Sequence, residues 1–447
     1  AYTLQTGREA HALRHAIVCQ EPGDAIDGLR AELAATVHPV SKPPEVVFLY
    51  PGQGTQYPNM GRELYETEAV YRSTVDACCE ALAGPLGLDL RTLLYPAVGE
   101  EERAAEQLKR TSLTQPALFV TEYALTQLLA EWGIHPVAMV GHSIGELVAA
   151  CVSGVLERDP ALRLVAQRAR LMESAPSGVM VSVLSSADEA RAYAGEGVWL
   201  SVVNGPQACV QSCTHESVDG LESRLQADGM AYQRLQTSHA FHCGLMDGVL
   251  AELDAFASGV SLSAPQIAYV SNVTGDWVEG DPEPGYWSRQ VRAAVQFGAG
   301  VERVLEKHPQ CVLLEVGPGQ ALSQLVRSVA KERAAAVVST QGAAKAEGTA
   351  GEWLARGLGE LWCAGVEVDW SQAVREERRL KVALPTYPFQ RKRYWVEPGK
   401  PGAAAAPRGV HKQADISNWF YAPSWKPSIV PAPESSGSRP RRWLVLA

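Results

Sequence analysis

The sequence has no apolar run approaching the about 20 residues that a membrane helix needs, and it lacks the charged-then-apolar pattern of a secretory signal at its start. Neither a membrane span nor an export route is expected. Positive charge is also in short supply. Lys and Arg number 40 against 50 Asp and Glu, for a net charge of −10 and a pI of about 5.6. That leaves no broad electrostatic footprint for nucleic acid or an anionic membrane. The nine cysteines lack the paired spacing of a metal site or disulfide framework, and Cys78 and Cys79 are adjacent. An odd, scattered set of this kind points to a reduced, cytoplasmic protein without a bound metal. No methionine opens the chain; it begins at Ala1 and closes on Trp443, Leu444, Val445, Leu446 and Ala447, so both ends read as cut from something longer. Apolar residues are plentiful, at 46% of 447 residues, enough for roughly three domain-sized units.

One stretch organises the rest: Val140, Gly141, His142, Ser143, Ile144, Gly145, Glu146. Residues 135–140 are apolar and bounded by Pro136, as a buried parallel strand is, and 146–152 is apolar and alanine-rich, as a helix is. A Gly-x-Ser-x-Gly at such a junction is the pattern of a nucleophile elbow. Small residues let strand and helix close up while the serine hydroxyl stands on a sharp turn. With 39 glycines the pentapeptide also arises by chance; the flanking strand and helix favour the nucleophile.

A second apolar run, 46–50, feeds Pro51, Gly52, Gln53, Gly54, Thr55 and Gln56. Tyr57 stands where a dinucleotide fingerprint needs its third glycine and no lysine follows, so the loop is not read as a phosphate cradle. It is either a tight turn or a loop whose main-chain N–H groups face a reacting carbonyl oxygen. In the second case the oxyanion donors are Gln53 here and Ile144 after the serine.

Helices are expected over 66–82, over 115–131 with Pro116 in the first turn, and over 159–174 with Asp159 and Pro160 opening it. In the last, Leu162, Val165, Ala166, Ala169 and Met172 form an apolar stripe that largely leaves out Arg163, Arg168 and Arg170. Taken alone, Arg168 therefore reads as solvent-exposed. Between 178 and 238 the predicted order is strand, helix, strand, strand, helix, strand, a ferredoxin-like unit inserted into a larger α/β domain. The chain re-enters the larger domain through Ser238, His239, Ala240, Phe241 and His242. A histidine at such a loop-to-helix junction suits a general base, and equally an ordinary polar loop. Strands at 267–270 and 312–316 and helices at 320–329 and 352–362 follow. The first forty residues, with a strand-like 16–18 and a helical 24–36, are too short for a core of their own. The stretch 383–395, with two prolines, four aromatics and Arg391, Lys392, Arg393, reads as an extended tail laid on another surface.

PGQGTQ at 51–56, QPALF at 115–119, GHSIGE at 141–146, QRARLM at 167–172, HAFH at 239–242 and EVGPG at 315–319 stand in register. Together they resemble the acyltransferase domains of modular type I polyketide synthases, related to malonyl-CoA:acyl carrier protein transacylases. The resemblance implies an α/β fold: an α/β-hydrolase-like large subdomain with an inserted ferredoxin-like small subdomain, plus flanking linkers. The implied segments are 1–41, the end of a ketosynthase-to-acyltransferase linker; 42–177 and 239–340, the large subdomain; 178–238, the small subdomain; 341–397, a post-acyltransferase linker wrapping back toward the start; and 398–447, a linker and the opening of a ketoreductase-like region. The last rests on loose matches at Trp419 to Tyr421 and Trp425 to Pro427.

Residue by residue, the resemblance makes Ser143 the nucleophile, His242 the base, Gln53 and Ile144 the oxyanion donors, and Arg168 the partner of the substrate's free carboxylate. It assigns extender-unit selectivity to His239, Phe241 and Ile144. The histidine of this family is held by a main-chain carbonyl instead of a triad carboxylate; Gln296 matches that position, and Asn204 an asparagine near the base. The implied activity loads a malonyl unit from malonyl-CoA, through a malonyl-serine ester, onto the phosphopantetheine thiol of an acyl carrier protein, with no bound cofactor. Ketosynthase and ketoreductase domains are the implied neighbours. A phenyl ring at Phe241 fills the volume of an α-methyl group, which favours malonyl over methylmalonyl by about 1–3 kcal/mol; core packing is the alternative role for that ring. A methylmalonyl-selective relative, a serine hydrolase and an inactive docking module are the competing readings.

Overall fold

The computed structural model describes residues 1–32, 39–40, 42–375, 378–386, 389, 391–393 and 414–416. Two units separate, 1–383 and 384–447, and most of the second lies outside the described residues, as do the matches near Trp419 and Trp425. Among the described residues the strands are, in chain order, β1 Val46–Tyr50, β2 Ala138–Gly141, β3 Val179–Val183, β4 Val198–Gly205, β5 Ala208–Cys213, β6 Tyr232–Arg234, β7 Ala268–Val270, β8 Val312–Glu315 and β9 Ala336–Ser339.

All five side chains of β1 are apolar and buried, which suits only a strand covered on both faces. It lies at the centre of a parallel sheet of order β7-β2-β1-β8-β9. Strand β2, laid down before the small subdomain, sits on one side of β1 with β7 beyond it, and β8 and β9 sit on the other. The strand order thus reverses at β1, and crevices at the carboxyl ends of such strands are where open α/β sheets bind ligands. The three glycine-bearing loops converge there. A Cβ on Gly145 would fall 2.2 Å from the Tyr50 carbonyl oxygen, one on Gly52 would fall 2.9 Å from that of His142, and one on Gly317 would fall 2.6 Å from Pro51 Cγ. Gly145→Ala is accordingly expected to cost at least about 3 kcal/mol in urea unfolding, because two backbones must part; an unchanged midpoint would contradict this contact.

Residues 179–234 form the second sheet, antiparallel, of order β4-β5-β3-β6, with helices Ala187–Ala192 and Val218–Ala227. This is the ferredoxin-like unit. Its edge is stitched to the large subdomain where Val203 N–H donates to Val295 O at 2.8 Å and Val295 N–H to Ser201 O at 2.9 Å.

Several elements differ from the sequence expectation. The helix expected over 66–82 is two, Arg62–Thr67 and Ala69–Leu86, parted by an extended Glu68. The next begins at Thr111, so Pro116 sits beyond its first turn. Glu157, not Asp159, occupies the N-cap position of Arg158–Ser174, without a side-chain capping bond. Residues 16–18 form no strand, and the helix expected over 24–36 is described as Pro22–Glu32, with 33–38 outside the described residues. Strand β9 and helices Tyr286–Arg292 and Phe297–Lys307 have no counterpart in the sequence expectation. Helix Ala350–Ala364, assigned to the linker, packs Leu354, Leu358 and Leu361 into the large core, with Gly357 against the Ser339 carbonyl. The large subdomain therefore runs past 340. Beyond it, Lys381 Nζ donates to Thr6 O at 3.1 Å and Val382 N–H to Thr3 Oγ1 at 2.9 Å, bringing the chain back to helix Tyr2–Gly7. Among the described residues no helix is long and apolar enough to cross a membrane.

Candidate active site

Ser143 leaves β2 with φ 54° and ψ −105° and opens helix Ile144–Val152. That positive-φ turn is strained for a residue with a side chain, as nucleophile elbows are. It is held from the far side. Asn272 Oδ1 accepts the Ser143 N–H at 2.7 Å, and its Nδ2 donates to Gly141 O at 2.7 Å. Ile144 N–H is the first of the helix and has no acceptor a turn behind it within the helix, whereas Gly145 and Glu146 N–H go to His142 and Ser143 carbonyls. Gly52 abuts His142, so Gln53 lies beside the same turn. A main-chain N–H left free directly after the nucleophile, beside a loop that abuts the same turn, is the kind of donor an oxyanion hole requires.

His242, also at positive φ (54°), is buried and sits 2.8 Å through Nε2 from Ser143 Oγ. Its Nδ1 faces the Gln290 carbonyl at 3.0 Å. A carbonyl can only accept, so Nδ1 carries the proton and Nε2 is free to take one from the serine. The resemblance assigns that carbonyl to Gln296, and the structure corrects the assignment. The Gln296 carbonyl accepts the Gly300 N–H at 3.1 Å and its own N–H goes to Asn272 O, because the chain between is tied at Val295 to Ser201 and Val203 of the small subdomain and Gln296 opens the next helix. Asn204 also serves a different histidine: its Oδ1 lies 3.0 Å from His142 Nε2, while that ring packs tilted on Phe297. Burial, then the charges of Arg168 and His142, push His242 down to about 3.

Arg168 is only 1% exposed. Helix Arg158–Ser174 packs against Thr111–Glu131, Ala69–Leu86 and Leu250–Ala257 as well as the elbow helix, so more than one of its faces is covered. Its Nη2 lies 3.3 Å from Ser143 Oγ and 3.0 Å from Gln290 Oε1, and Nη1 donates to Gln115 Oε1 at 2.5 Å. Nε has no partner among the described residues. Neutral amides thus hold a buried cation next to the hydroxyl, and burial lowers it to about 10 against the pull of Glu146. An anion of the right length would satisfy it better.

Gln290 is the residue that sequence reasoning misses. Its carbonyl orients His242, its Oε1 takes Arg168, and its Nε2 donates to Ser143 O at 2.8 Å and Glu146 Oε2 at 3.1 Å. The buried Phe241 packs beside His239, ring centroids 6.1 Å apart, and its carbonyl accepts from Ser212 Oγ of the small subdomain. Among the described residues no group of three His, Cys, Asp or Glu could hold a metal.

A family model described as "Acyl transferase domain" matches residues 47–367. The chain is 36% identical over 387 residues to a phenolphthiocerol/phthiocerol polyketide synthase protein of Mycobacterium tuberculosis, covering 86% of this chain and 25% of that protein. It spans a quarter or less of the curated relatives it matches. Among solved structures, the acyl transferase domain of SpnD in complex with 2-(pent-4-yn-1-yl)malonyl is similar with a TM-score of 0.75 and 39% identity, over 81% of this chain and 87% of that one. MCAT from Streptococcus pneumoniae is similar with a TM-score of 0.60 and 30% identity, over 67% and 97%.

Proposed function

Because the chain belongs to the acyl transferase domain family, we propose that it loads malonyl units from malonyl-CoA onto the phosphopantetheine thiol of an acyl carrier protein in polyketide assembly. Ketosynthase and ketoreductase domains would be its neighbours in the parent chain. His242 Nε2 takes the Ser143 proton as Oγ attacks the thioester carbonyl, and the N–H groups of Gln53 and Ile144 hold the oxyanion. Collapse expels the CoA sulfur, which takes the proton from His242, and leaves a malonyl ester on Oγ. The carrier thiol then repeats the sequence in reverse roles: it gives its proton to His242, attacks the ester, and Ser143 recovers the proton. No cofactor is needed.

The observation that carries the reading is Arg168, a buried guanidinium 3.3 Å from the serine oxygen with its Nε unpartnered among the described residues. A carboxylate one methylene beyond the ester carbonyl stays within a few bonds of that guanidinium, where a hydrogen bond is charge-assisted. Phe241 beside His239 supports malonyl over the bulkier methylmalonyl, by about 1–3 kcal/mol. The test is intact-mass analysis after malonyl-CoA, methylmalonyl-CoA and acetyl-CoA compete for the protein. A dominant malonyl adduct is expected; a dominant acetyl adduct would sink the reading, and a dominant methylmalonyl adduct would sink the role of Phe241.

A further inference from the structure

Glu146 stands in the first turn of the elbow helix and is fully buried. Its hydrogen-bond partners are neutral. Its Oε1 accepts from Tyr286 OH, which also lies 2.7 Å from Ser271 Oγ, and its Oε2 accepts from Gln290 Nε2. Gln290 Oε1 in turn accepts from Arg168. Carboxylate and guanidinium are therefore joined through one amide side chain, not paired directly. The other ionisable groups facing this cluster are Tyr269 on β7, whose hydroxyl has no partner among the described residues and which burial and the Glu146 charge raise, and His242 beyond Gln290. Arg168 is the one permanent cation among them.

With the site empty, one buried positive charge balances one buried negative charge. A malonyl carboxylate arriving on Arg168 adds a second negative charge to a compartment that offers no second cation among the described residues, and an uncompensated buried charge is strongly disfavoured. We infer that Glu146 takes up one proton from solvent when a carboxylate-bearing acyl group is esterified to Ser143, so that the buried site keeps its net charge. This rests on the reading that Arg168 receives the substrate carboxylate. The hydrogen bonds can follow the proton: Glu146 Oε1–H donates to Tyr286 oxygen, and the Tyr286 O–H turns to Ser271 Oγ. Gln290 keeps its bond to Oε2, so Arg168 and His242 stay in place. Burial holds the Glu146 carboxyl up at about 7, against the pull of Tyr286, Gln290 and Arg168; it is thus mostly ionised at pH 8 and protonated already at pH 5.5.

The experiment mixes the protein with malonyl-CoA in weak buffer containing a pH indicator, and counts adduct by intact mass in the same samples. Expected uptake in the acylation burst approaches one proton per adduct at pH 8 and is several-fold smaller at pH 5.5. Glu146→Gln should still form adduct with its uptake at pH 8 nearly abolished. Uptake that persists in Glu146→Gln would assign the proton to His242 and overturn the inference, as would adduct formation without uptake in the wild type. Should Glu146→Gln not fold, infrared difference spectra of wild-type protein carrying carboxyl-labelled glutamate provide the second measurement. Malonylation at pH 8 should create a protonated-carboxyl band that moves with the label; its absence overturns the inference. A wild type that forms no adduct at all would instead defeat the carboxylate reading itself.

Discussion

Replacing Ser143 by alanine is expected to abolish the acyl adduct and to lower transfer to a carrier-protein thiol by at least about four orders of magnitude. The effect is this large because in the proposed mechanism both half-reactions pass through Oγ; without it, the proposed oxyanion donors and base have no covalent path to share. The elbow itself should survive. Ser143 holds its turn through main-chain atoms, its N–H on Asn272 and its carbonyl on Gln290, so the variant should unfold at a similar urea midpoint. Transfer retained within tenfold, measured with radiolabelled malonyl-CoA, would contradict a serine ester intermediate.

Arg168→Met carries the second large effect. Removing one partner of a buried charge pair costs about 2–5 kcal/mol, so kcat/KM for malonyl-CoA should fall by roughly 30- to several thousand-fold while that for acetyl-CoA changes little. A pH signature accompanies the loss. Burial and then the Arg168 charge hold His242 low, at about 3; without the cation its folded-state value rises toward the ordinary imidazole range. The acid limb of kcat/KM should therefore move to higher pH. Stability follows with the matching sign. In the wild type a histidine lowered on folding stabilises the protein above about pH 6.5, and that contribution fades as pH falls toward 3; in the variant the fade is shallower. Equal losses for malonyl-CoA and acetyl-CoA would show that Arg168 supports the fold and not the carboxylate.

What could be read beforehand divides along physical lines. The elbow and the glycine loops declare themselves because close backbone approach leaves few residue choices: at Gly145 even a Cβ would collide with Tyr50. The ferredoxin-like insert is legible because its strands alternate with short helices in a fixed order. Arg168 is different. Helical periodicity reports one buried face, and this helix is covered on more than one, so only the family resemblance points to it. The histidine's orienting carbonyl leaves no side-chain signal at all. A main-chain oxygen can come from any residue, and helix Tyr286–Arg292, which delivers Gln290, has no clear signature in the sequence; the match slides to Gln296 instead. Asn204 is matched to the base His242, but the imidazole it bonds belongs to His142. Contacts across the subdomain boundary depend on how two folded units meet, and local sequence pattern does not encode that.

The central claim is that a hydroxyl and a buried cation share one acyl group, and a crystal structure of the malonyl-bound protein tests it most directly. The account predicts an ester at Ser143 Oγ, its carbonyl oxygen on the Gln53 and Ile144 N–H groups, and its carboxylate within about 3 Å of the Arg168 guanidinium. A malonyl ester whose carboxylate points to solvent, with Arg168 still bound only to Gln115 and Gln290, would contradict it.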